Sequence, residues 1–141
     1  LEATVDSSHV LFTVPSLEQL RRGGRISGLA SLLGTLLQVR PVMAVDDGAI
    51  GLVDRPRSAA RAVDRLVELA TERAGEDPVR IAVHEYGDPE TAVQLAERLQ
   101  PISTTPVPVV ELPAVLAAHL GLGVLGVVIC PLESPTGVSG D

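Results

Sequence analysis

Apolar residues recur along the chain at two spacings, and the switches between them divide it into elements. Val10–Val14 is a compact apolar run closed by Pro15, which predicts a short strand. Ser16 and Gln19 then form an S-x-x-Q capping box for a helix that Gly23-Gly24 stops early. A second helix starts at Ser27, where Leu29, Leu32, Leu33, Leu36 and Leu37 fall on one face. Pro41–Val45 and Ala49–Val53 flank Asp46-Asp47-Gly48, a hairpin in which the glycine supplies the left-handed position. Ser58 caps a long helix with a stripe of Ala59, Ala62, Val63, Leu66, Val67 and Ala70, ended by Arg73 and Gly75.

Val79–Val83 predicts a buried strand, and Asp88-Pro89 an N-cap and first helical residue, with Ala92, Leu95, Ala96 and Leu99 facing inward. Val107–Leu112 is a strand that Pro108 pushes to an edge. Pro113–Leu120 is a short helix closed by Gly121, and Val124–Cys130 a last core strand. Strands alternating with helices, apart from one hairpin, predict an α/β fold: a mixed β-sheet of about six strands with helices on both faces. One domain over residues 1–131 is expected. Residues 132–141, rich in Pro, Ser, Gly and Thr, are expected to be a disordered tail.

Composition narrows the function. With 141 residues and a net charge of −7, the chain is an ordinary acidic domain. Aromatics are only 1% of it, so the core is aliphatic, and neither basic patches nor stacking rings are available for nucleic acid. No apolar run reaches a membrane span, since Leu112–Leu132 is interrupted by Pro113, His119, Gly121, Gly123 and Gly126. The lone Cys130 excludes an intramolecular disulfide and a cysteine zinc site, and it suits a reducing cytoplasm. The absence of lysine removes Schiff-base and P-loop chemistry.

Three stretches carry candidate chemistry. His9, His84 and His119 are too far apart for a short metal motif, so no metal is expected. His84 precedes Glu85 and Asp88, which permits an acid–base pair in a small hydrolase; a histidine closing a strand beside a helix cap accounts for it too. Gly23-Gly24-Arg25-Ile26-Ser27 sets a guanidinium at a helix N-terminus, although paired glycines also serve as a tight connection. His119-Leu120-Gly121-Leu122-Gly123 leaves backbone open beside an imidazole, at a helix end where the macrodipole alone favours histidine.

Taken together, Leu20-Arg21-Arg22-Gly23-Gly24-Arg25-Ile26-Ser27, Arg40-Pro41-Val42, Asp47-Gly48, Arg55-Pro56-Arg57 and His119–Gly123 resemble, in order and spacing, the second domain of DegV-family proteins. Leu122 stands where that family carries proline. The resemblance implies a carrier without catalysis or cofactor of its own, which binds a long-chain fatty acid and presents its carboxylate to the catalytic subunit of a fatty acid kinase. It implies His119, Gly121 and Gly123 at the carboxylate, Leu29, Leu33, Leu36 and Met43 along the acyl chain, and Arg25 and Arg57 facing the kinase. It further implies an N-terminal domain preceding this one, without which the isolated chain is expected to self-associate. The alternatives left open are the His84 hydrolase and a pure protein-interaction domain.

Overall fold

The computed structural model describes residues 8–15, 40–46 and 48–132. Expectations placed on residues 16–39, including Arg25, Leu29, Leu33 and Leu36, lie outside the described residues, as does the tail beyond Leu132. Among the described residues six strands form a single sheet. They are β1 (His9–Thr13), β2 (Val42–Asp46), β3 (Ala49–Asp54), β4 (Val79–Tyr86), β5 (Val109–Glu111) and β6 (Val124–Pro131). Helices α1 (Ala59–Ala74), α2 (Pro89–Leu99) and α3 (Ala114–Leu120) lie between them. The strand order is β3-β2-β1-β6-β4-β5; only β4 and β5 run parallel.

The local signals act as expected. Gly48 turns the β2–β3 hairpin at φ 79°. The Ser58 hydroxyl accepts from the Arg61 amide at 3.1 Å, and the Asp88 carboxylate from the Thr91 amide at 3.2 Å, so each helix starts with one orphan donor satisfied. Gly75, at φ 59°, ends α1 by donating to the Thr71 carbonyl.

Strand limits differ from the sequence expectation by more than one residue in two places. β4 continues past Val83 to Tyr86, because its ladder with β6 runs unbroken to the Tyr86–Val124 pair. β5 covers only Val109–Glu111, because the Val107 amide bonds the Gln100 side chain instead of a strand and Pro108 has no amide to give.

Side-chain alternation sorts the core into two layers. On one face Leu11, Val42, Ala44, Ile81, Val83, Leu125, Val127 and Ile129 pack against Ala62, Leu66 and Ala70 of α1 and Ala92, Leu95 and Leu99 of α2. Leu66, Leu95 and Leu99 have no exposed surface, and each buried leucine contributes about 1.5–3 kcal/mol. On the other face Phe12, Val14, Met43 and Val124 form a second cluster with Leu112 and with Leu120 of α3.

Candidate functional site

The segment singled out by sequence lies at one end of the sheet. α3 carries His119 in its last turn and stops at Gly121, whose amide donates to the Ala117 carbonyl at 2.7 Å. Gly121 and Gly123 adopt φ 100° and 95°, conformations that L-residues rarely take, so the glycines here are required by the turn. The Gly123 amide donates to the Tyr86 carbonyl at 2.7 Å, which ties this loop to the end of β4.

Beside that loop is a cavity of about 240 Å³ that sequence reasoning did not find. Arg40, Thr13, Gly87, Thr91 and Gly123 line it, together with Ala59 from the first turn of α1. These residues are scattered through the chain, and only the sheet order brings them together.

Met43 was expected to meet an acyl chain. It has no exposed surface and packs in one cluster with Phe12, Val14 and Val124. Arg57 lies exposed on a different surface, a groove of about 570 Å³ shared with Asp54, Arg55, Arg61, Asp64 and Arg65. Arg65 binds Asp54 at 2.8 Å and Glu68 at 3.1 Å, and Arg98 binds Asp64 at 2.8 Å. Arg55, Arg57 and Arg61 form no ion pair with a described residue.

The His84 acid–base pair is not assembled. His84 and Glu85 are consecutive in β4 and so point to opposite faces. His84 lies within the strand rather than at its end, opposite Gly126 of β6. Glu85 is buried, and its carboxylate accepts from the Asp88 amide at 3.1 Å, while the Asp88 carboxylate caps α2. Burial pushes the His84 imidazole below its ordinary pKa. Among the described residues no cluster of three or more His, Cys, Asp and Glu can hold a metal, and no helix is long and apolar enough to cross a membrane.

Comparison with known proteins adds a consistent set of matches. A family profile described as "Uncharacterised protein, DegV family" matches residues 1–132. A DegV domain-containing protein of Streptomyces coelicolor is 42% identical over 120 residues, covering 84% of this chain and 43% of the relative. A crystal structure of a fatty acid binding DegV family protein from Streptococcus agalactiae superimposes with a TM-score of 0.85 at 26% identity, covering 94% of this chain and 47% of that one. A DegV family protein from Thermus thermophilus, whose structure is described by its fatty acid binding, gives 0.80 at 31% identity, covering 88% and 46%. The chain spans about half the length of the relatives it matches.

Proposed function

The chain belongs to the DegV family, and on that premise we propose that it is one half of a fatty-acid carrier that presents the acyl carboxylate to the catalytic subunit of a fatty acid kinase in the cytoplasm. The observation that carries this reading is the pair of superimposable relatives described as binding fatty acid, one of them 31% identical. His119, with the open backbone of Gly121 and Gly123, receives the carboxylate; an imidazole donates to it and, once protonated, pairs with it. Leu29, Leu33 and Leu36 line the acyl chain, and Met43 supports that wall from inside the core. Arg25 and Arg57 face the kinase. The protein performs no chemistry itself, and a domain preceding this one supplies the rest of the lipid site.

A two-part site sets how weakly this chain alone should bind lipid. A palmitate-length chain has about 14 methylenes at about 0.8 kcal/mol each, roughly 11 kcal/mol gross on full burial. A domain that supplies half the wall forfeits some 5 kcal/mol, a loss of at least ~10³-fold in affinity.

The test is lipid extraction and native mass spectrometry of the full-length carrier, beside titration of this chain with a fluorescent fatty acid. Stoichiometric fatty acid in the first and weak or no binding in the second is expected. A full-length protein that carries no lipid refutes the carrier. Tight one-to-one binding by the chain alone refutes the shared site.

A further inference from the structure

We propose that the cavity beside Gly87 and Gly123 is a binding subsite for a tetrahedral oxyanion, a phosphate group held by the Arg40 guanidinium and the Thr91 hydroxyl. This goes beyond the lipid reading and does not depend on it. Both side chains line the cavity. Neither the guanidinium nor the Thr91 hydroxyl has a hydrogen-bond or ion-pair partner among the described residues. The Arg40 backbone is fixed at both polar groups: its amide donates to the Pro56 carbonyl at 2.7 Å, and its carbonyl accepts from the Thr13 hydroxyl at 3.5 Å. The guanidinium reaches the glycine loop, with Nη1 4.0 Å from where a Gly123 β-carbon would stand.

The start of α1 borders the same cavity. Ser58 satisfies the amides of Arg61 and Ala62, which leaves those of Ala59 and Ala60 without an intrahelical acceptor, and Ala59 borders the cavity. Asp88 also lines the cavity, and one of its carboxylate oxygens, Oδ1, accepts from the Thr91 amide. A planar guanidinium and a hydroxyl together suit several acceptor oxygens of one tetrahedral group. A cavity of about 240 Å³ has room for a phosphate group. A net charge of −7 repels anions in general, so phosphate held here is held locally.

The test is a titration of the isotope-labelled 141-residue chain with inorganic phosphate at low ionic strength, read by amide chemical shifts. Saturable shifts at Gly87, Thr91 and Gly123 are expected. Arg40→Gln and Thr91→Val should each weaken them, the former by about tenfold or more. Arg80→Gln, on the opposite face of the sheet, should leave them unchanged. Acetyl phosphate binding more tightly than phosphate identifies the terminal group of a phosphoryl compound; equal or weaker binding identifies free phosphate. The proposal is overturned if phosphate gives no saturable shift, if chloride or acetate gives the same one, or if both variants bind as the parent does.

Discussion

Gly87 and Leu122 stand so close that a β-carbon on the glycine would lie 3.0 Å from the leucine Cδ2 and 3.3 Å from the Gly123 amide nitrogen. Gly87 also adopts φ 94°. Two penalties therefore coincide where β4 turns into α2. Gly87→Ala should destabilise the chain by about 1–3 kcal/mol. Gly48→Ala, also at positive φ but with nothing within 4 Å of the added carbon, should cost less. Urea unfolding of the two variants separates the clash from backbone strain; equal losses would show that the contact with Leu122 yields freely.

His84 makes stability depend on pH. Burial lowers its folded pKa below the 6.5 of the free side chain, so the unfolded chain binds the proton more readily. The neutral imidazole's contribution is complete above pH 6.5 and is lost as pH falls through 6.5 towards the folded value. Melting temperatures at pH 8 and pH 5.5 should fall further apart in the parent than in His84→Gln. Parallel losses in both would assign the acid sensitivity to other groups.

Signals that act within one turn of chain were legible from sequence. Ser58 and Asp88 cap their helices because a side-chain oxygen needs to reach only three residues ahead, and Gly48 and Gly75 turn because nothing but local φ is asked of them. The position of β6 between β1 and β4 left no local trace, since its neighbours are paired across long stretches of chain. The end of β4 was misplaced because His84 and Glu85 interrupt the apolar run while the ladder continues through them. Within the candidate site, the glycines after His119 were legible as punctuation. The Arg40–Thr91 cavity was not, because it exists only once the sheet order has joined distant segments.

The exposed face of α3 should mediate self-association. Val115 and Leu122 are 73% and 70% exposed, with Leu116 and Val110 also open. Exposed apolar side chains on this helix and in the loop after it suit a contact surface. Replacing Val115 and Leu116 by Ser should shift sedimentation of the chain towards monomer with a change in unfolding free energy within about 0.5 kcal/mol. A parent already monomeric at high concentration would remove the basis for a docking role.

The two proposed polar roles separate in the full-length protein. His119→Ala should weaken fatty-acid binding by roughly 10- to 150-fold, the loss of one charge-assisted hydrogen bond. Arg57→Glu should slow acyl-phosphate formation at low salt while leaving the lipid bound, since rim charges govern encounter. The checks are lipid titration and kinase rates measured on both variants. A His119 variant that binds lipid normally but melts early would reassign that residue to structure.

Because β6 closes the sheet from its middle, the chain cannot fold in the order in which it is synthesised. β1 and β4 share no ladder until Val124–Pro131 arrives to bridge them, antiparallel to both. More than a hundred residues separate Thr13 from Val124. At 5–20 residues per second β1 therefore waits on the order of ten seconds with one edge bare. During that interval the nascent polypeptide presents the unpaired backbone of His9–Thr13, which carries Leu11 and Phe12, to any strand in reach. A ribosome-bound chain halted before Val124 should thus be cut readily by protease and held by chaperones, and become resistant only once the eighth residue of β6 has emerged.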